Sequence, residues 1–228
     1  MNRSPRLMLL LRTLQAAGGL FVAAFGIYLT IQANIGLAPW DALNMGLSRC
    51  FGVSYGTASI VLSIFAVAAD LLLGERIGMG TLLDAVLVGL SIDLFTALEL
   101  VPLQTSLPAS LAVLILGLFI VAFGQLIYMR SALCCGPRDS LLVALGKRMR
   151  RLPIGMVNVM LLGVVICAAW LLKGPIGVGT LVSVFGLGAT MQAGFRPFPF
   201  APPGVRHTGF FVRGRLLCGR AAPQEQKG

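Results

Sequence analysis

The chain has 228 residues, of which 57% are hydrophobic and only 11% charged, with a mean hydropathy of +0.90. A soluble domain carries about 25% charged residues, so this chain has too few to cover a water-facing surface, and a polytopic membrane protein is expected. The net charge of +10 does not point to nucleic acid, because the basic residues gather in loops and tails and no basic face is interleaved with exposed aromatics.

Residues 1–13 form a basic N-terminus with Arg3, Arg6 and Arg12, followed by an uncharged run over 13–40. It imitates a secretory signal, but the apolar run is longer than the about 7–15 residues of such a signal's core. It also has a counterpart deep in the chain, so cleavage is not expected. Further runs cover 51–69, 77–98, 101–129, 152–172 and 174–195, the second interrupted only by Asp84 and Asp93. Each reaches the roughly 18–20 residues that a helix needs to cross the hydrocarbon.

The runs repeat. Gly19-Leu20-Phe21 and Ala24-Phe25-Gly26 return as Gly117-Leu118-Phe119 and Ala122-Phe123-Gly124, and Pro39, Asp41, Leu43 and Leu47 return as Pro137, Asp139, Leu141 and Leu145. One residue further out of step, Gly56 returns as Gly155 and Ile77-Gly78-x-Gly80-Thr81-Leu82 as Ile176-Gly177-x-Gly179-Thr180-Leu181. Apolar sequence matches itself easily, but glycines, a proline and an aspartate in fixed order do not. Each repeat reads as a span, a short helix and two more spans: 14–34, 55–73 and 78–98, then 111–131, 154–172 and 177–195. The short helices, about 39–50 and 137–149, cannot cross at a rise of about 1.5 Å per residue. Three crossings are an odd number, so the second repeat must insert upside down relative to the first.

Charge placement agrees. With the N-terminus in the cytoplasm, only Arg49 and Lys173 fall outside, and every other Lys and Arg falls inside. The expected organisation is therefore a basic N-terminus (1–13), repeat 1 (14–98), an external linker (99–110), an inverted repeat 2 (111–195) and a basic tail (196–228). The fold class is an all-α polytopic membrane protein with six transmembrane helices. The tail, with Pro197, Pro199, Pro202, Pro203 and the sole histidine, His207, has no helical periodicity and is expected to be disordered.

Pro39-Trp40-Asp41 and Pro137-Arg138-Asp139 stand out as chemistry. Proline suits the first turn of a helix, and an aspartate two residues later meets the positive end of the dipole. That is ordinary capping, and it is equally the way an inverted-repeat carrier builds a substrate site from broken helices. Arg138 replaces Trp40 in the second copy; it either grips carboxylate or phosphate with its planar fork or faces lipid headgroups. Three repeat-matched polar pairs lie within the spans: Ser59 with Asn158, Asp84 with Ser183 and Asp93 with Gln192. They predict a polar seam in the interior, with a plain ion pair to Arg76 as the alternative use of Asp84. The recurring glycines, seven apart on one face, predict close helix contact. The five cysteines are odd in number and lack metal spacing, so they read as small apolar residues.

No catalytic residue set, metal site or cofactor motif is present in the sequence, so no enzyme is expected. Gly36-Leu37-Ala38-Pro39-Trp40-Asp41, Gly56-Thr57-Ala58-Ser59 and Ile77-Gly78-Met79-Gly80-Thr81 resemble the YczE/YitT family of bacterial integral membrane proteins. That resemblance covers about 14–195, both repeats included; the second copy departs from the first at Arg138, and the arginine-rich tail lies outside the resemblance. It implies a bacterial cytoplasmic membrane and no particular substrate. Two functions follow: a secondary carrier or exporter of a small polar or anionic molecule, or a non-transporting scaffold that holds a partner through its basic loop and tail. Expected partners are the lipid bilayer and a small-molecule ligand. A carrier should enclose a polar cavity between Asp41 and Asp139, whereas a scaffold should have a dry core.

Overall fold

The computed structural model describes the backbone of residues 5–75, 78–133, 136–149 and 152–195, with side chains from 7 to 186. Its helices are α1 (Pro5–Gln32), α2 (Pro39–Phe51), α3 (Tyr55–Leu72), α4 (Met79–Ala97), α5 (Leu107–Arg130), α6 (Pro137–Arg148), α7 (Ile154–Leu171) and α8 (Val178–Phe195). Among the described residues there is no strand. Five of these helices (α1, α3, α4, α5 and α7) are long and apolar enough to cross a membrane. The backbone polar groups of such spans are satisfied within each helix, which is what hydrocarbon demands. Large apolar side chains point outward along them, among them Phe65, Phe123, Val159 and Trp170, as lipid contact requires.

The expected spans agree with these helices to within a few residues, except at two starts. Helix α1 begins at Pro5, because Leu7–Leu14 contains no helix breaker and Arg12 can extend its charge toward water. Helix α5 begins at Leu107, with Pro108 in its first turn, where the missing N–H costs nothing. The tail from 196 lies outside the described residues, as do Arg76, Cys134, Cys135, Arg150 and Arg151.

Helices α1 and α5 pack antiparallel along the glycine faces. A Cβ on Gly19 would lie 2.6 Å from the Tyr128 nitrogen, and one on Gly26 would lie 2.6 Å from that of Val121. Only hydrogen fits there. Helix α4 joins α1 on one side through Phe21, Phe25, Tyr28 and Phe95, whose rings lie 4.9–6.3 Å apart in tilted, stacked and edge-on pairs. The Tyr28 hydroxyl donates to the Val101 carbonyl (3.1 Å) and accepts from the Val101 N–H (3.0 Å), fixing the linker between the repeats. Helix α8 joins α5 on the other side, α2 packs on α7 and α6 on α3. The turn before α2 pairs with the segment before α8: Leu37 N–H donates to the Pro175 carbonyl and Gly179 N–H to that of Ile35. Gly36 sits there at φ +113° with the Gly177 backbone against it, a place for no other residue.

Asp93 is used differently from expectation. It does not join the interior seam but locks α3 to α4, its carboxylate accepting from the Gly56 N–H (2.7 Å) and the Ser54 hydroxyl (2.5 Å) just where Gly56 and Gly89 touch. Asp93→Ala is expected to cost about 1.5–3 kcal/mol, the worth of hydrogen bonds to a charged group, read as a lowered midpoint of thermal unfolding in detergent.

Candidate functional site

The two Pro-x-Asp helix starts meet. Pro39 and Pro137 are buried first residues of α2 and α6, and each fixes the direction of its first turn. Asp41 is 7% exposed. Its carboxylate is committed outside its own helix: Oδ1 accepts from the Tyr55 hydroxyl at 2.9 Å and from the Arg138 guanidinium at 3.3 Å. Asn44, one turn further along α2, donates to the Tyr55 hydroxyl at 3.4 Å. Arg138 lies 5.6 Å from the centre of the Trp40 ring, in cation–π range. The residue that replaces Trp40 in the second copy therefore stacks on Trp40 itself.

Around this contact lies a cavity of about 340 Å³. Pro39, Trp40 and Asp41 line it from α2, Arg138 and Asp139 from α6, Gln125 from α5, Asn158 from α7 and Ser183 from α8. Apart from Thr30 the remaining wall is apolar, including Leu118, Val121, Leu161 and Leu162. A smaller chamber of about 100 Å³ shares Ile27, Gln125, Arg138 and Asp139 with it and adds Ser59, Ser63 and Asp84. Asp84 lies against Gly136, the residue that opens α6. Its alternative partner, Arg76, is outside the described residues, and so is the side chain of Gln192. Ser59, Asn158, Asp84 and Ser183 are thus brought to one polar interior, and Asp93 is not.

Asp139 has its side chain exposed to the cavity, with protein packed around that cavity. Burial pushes its pKa up from the ordinary carboxylate value, and the Arg138 charge beside it opposes that. Among the described lining residues Arg138 is the one base, against the acids Asp41, Asp84 and Asp139. The Ser183 hydroxyl, 2% exposed, has no hydrogen-bond partner among the described residues. Such an arrangement can hold a small molecule that presents hydrogen-bond donors to carboxylates and an apolar part to the leucines and valines.

Tyr55, Asn44 and Gln125 were missed by sequence reasoning. Gln125 carried a signal: it stands in the middle of an apolar span at the position matched by Ile27, which lines the same cavity. Tyr55 and Asn44 carried none, since Tyr55 merely opens a helix after a short loop and Asn44 is a single polar residue within a short helix. Among the described residues no group of three His, Cys, Asp or Glu is placed to hold a metal ion.

Residues 10–195 match a family of unknown function, DUF6198. An uncharacterized membrane protein of Bacillus subtilis, YczE, is 30% identical over 90% of this chain and 92% of its own length. The chain belongs to the YczE-like family. Another B. subtilis relative, YyaS, is 31% identical over 78% of this chain and 89% of its own. A Haemophilus influenzae protein is 28% identical over 76% of this chain and 78% of its own. No solved structure matches the chain. As a YczE-like protein with several apolar helices, it is a multi-pass integral membrane protein. The match spans both Pro-x-Asp helix starts and every cavity residue named above.

Proposed function

We propose that this YczE-like protein is a secondary carrier, and that its substrate site is the cavity between the starts of α2 and α6. The observation that carries this reading is the convergence of two duplicated helix starts on one polar cavity, the Arg138–Asp41 contact joining residues 97 apart in the chain. A scaffold has no use for a cavity of about 340 Å³ lined by carboxylates and amides. In sequence, Arg138 looked free to grip an anion. Paired with Asp41 it is largely neutralised, and Asp139 becomes the open charge of the cavity. The substrate class supported best is therefore a small organic ammonium or zwitterion with an apolar body, its ammonium on Asp139.

The carrier architecture proposed is six spans in two inverted repeats, α8 being the sixth, in a bacterial inner membrane with both termini in the cytoplasm. The packing supports it. Gly19 meets Gly124 and Gly26 meets Gly117, so each glycine faces the repeat counterpart of the other, as a two-fold axis between α1 and α5 requires. The same axis relates α1–α4 to α5–α8 and α2–α7 to α6–α3. Two outcomes test the proposal. In a cysteine-free background, a cysteine placed at Gln104 should react with an impermeant reagent in intact cells, and one at Arg148 should not; the reverse pattern sinks the orientation. In lipid nanodiscs, members of a panel of small amines and amino acids should raise the unfolding temperature. The expected stabilisation is about 2.7 kcal/mol at a hundredfold excess over the dissociation constant. Asp139→Asn should abolish that rise while leaving the unliganded midpoint within about 1 kcal/mol. Stabilisation by carboxylates or phosphates alone would replace the cationic substrate with an anionic one, and no stabilisation by any of them would count against transport.

A further inference from the structure

Helix α3 carries a buried polar stripe that its repeat counterpart lacks. Ser59, Ser63, Ala66 and Asp70 follow one another at helical spacing and are all buried. Ser59 and Ser63 line the smaller chamber with Asp84, Arg138 and Asp139. The matching face of α7 is Asn158, Leu162, Val165 and Ala169, and the last two are packed in an apolar cluster with Ala42 and Leu43. One half of the molecule thus closes its stripe with hydrocarbon, and the other continues it with hydroxyls and ends it with an acid.

Asp70 is that acid. It is 0% exposed, and neither carboxylate oxygen has a hydrogen-bond partner among the described residues. A buried carboxyl with neither oxygen committed to a partner is free to bind and release a proton as water or a base reaches it. Among the described residues the elements packed against α3 bring few charged groups, Asp93 of α4 being held by Ser54 and Gly56 and Arg148 lying in the last turn of α6. Glu75, in the turn after α3, is held by Lys147 of α6 at 2.6 Å. Helix α6 also brings Arg138 and Asp139, and α4 brings Asp84, all three at the chamber. Helix α2 packs at the opposite end of α3, through the Asp41–Tyr55 bond; its other charge, Arg49, lies in its last turn.

Resting on the carrier reading above, we propose that Asp70 is a proton-exchange site of this protein, connected through Ser63 and Ser59 to the Asp84–Asp139 chamber, so that a proton rather than a metal ion is the coupling species. A proton arriving from water at the Lys147 end binds an Asp70 carboxylate oxygen. It is passed on to a chamber carboxylate as each hydroxyl accepts one proton and releases its own, and Asp70 returns to its anion to be protonated again. Between Asp70 and Ser63 the stripe runs two turns, about 10 Å, past the small side chain of Ala66, and water must bridge that interval. Buried carboxyls of this kind serve proton relays in membrane proteins, and the matching position of α7 is Ala169, which offers no second one.

The test uses the full chain in lipid nanodiscs with the proton as the probe. Dicyclohexylcarbodiimide reacts with protonated carboxyls in apolar surroundings. Peptide mass spectrometry should find Asp70 labelled, with the label falling as pH rises. In a Trp170→Phe background, Trp40 is the sole indole, stacked on Arg138, and its emission follows the charge of the chamber after a pH jump. Asp70→Asn should slow that response about tenfold or more, the scale on which a positioned proton donor acts, and leave its final amplitude intact. Ser63→Ala should slow it too. A purely structural Asp70 would lower thermal stability and leave the rate alone. If Asp70→Asn does not accumulate, the label on Asp70 and the Ser63→Ala rate decide. An unlabelled Asp70, a Trp40 emission that ignores pH, or a wild-type rate in either variant overturns the proposal. None of these readouts needs a substrate, so the amine panel judges the carrier reading separately.

Discussion

Replacing Gly26 by valine is expected to remove most of the folded protein from the membrane. A Cβ at this position would lie 2.6 Å from the Val121 nitrogen and 2.8 Å from both the Gly117 carbonyl oxygen and a methyl of Val121. Two of these three neighbours are backbone atoms of a straight helix, which cannot rotate out of the way as the end of a side chain could. The α1–α5 pair must then separate along its length, and every contact that depends on that separation loosens with it: Gly19 against Gly124, and the Phe21–Phe25–Phe95 group beside it. In a bilayer no hydrophobic force draws the helices back, because lipid solvates leucine as well as a neighbouring helix does. The cost should lie at or above the top of the roughly 1–3 kcal/mol usual for overpacking. Gly18 supplies the control one residue from the seam: a Cβ there meets nothing within 4 Å, and Gly18→Val should accumulate normally. Yield of monodisperse protein after detergent extraction measures both. Normal yield and midpoint for Gly26→Val would mean that the helices are not held by this face.

The second large effect concerns Arg138. Arg138→Gln leaves Asp41 buried beside Tyr55 without its counter-charge. Breaking a buried pair from one side costs about 3–5 kcal/mol. Arg138 keeps 28% of its side chain open to the cavity, which tempers the loss to about 2–3 kcal/mol. Adding Asp41→Asn should recover part of it, because no unpaired charge is then buried, and the double-mutant cycle should return a coupling of about 1–3 kcal/mol. The comparison pair is Lys147 with Glu75, where the lysine is 63% exposed. Lys147→Gln should cost less than about 1 kcal/mol, as exposed pairs do. Equal small losses at Arg138 and Lys147 would show that the Asp41–Arg138 contact does not hold the two helix starts together.

The same contacts mark what could and could not be read from the chain. Apolar runs of the right length between Gly, Pro and charged breaks gave the helices, because a span must satisfy its backbone internally and shows this as an uninterrupted run. The start of α2 at Pro39 and of α6 at Pro137 was legible because proline has few tolerated places in a helix. The glycine faces were legible because their spacing repeats. What a polar side chain does once inside was not. Asp84 and Asp93 sit on the same helix, and in sequence both are simply acids in a span; tertiary structure sends one to the chamber and the other to the Ser54–Gly56 lock. Arg138 looked like a free cation until α6 was set beside α2, where Asp41 claims it. Local sequence determines the helices and their ends, since these depend on neighbours within a turn or two. The sign of the cavity, and therefore the kind of ligand it favours, is decided only when helices 97 residues apart are brought within 3.3 Å, because charge acts through space and takes its meaning from whatever it faces.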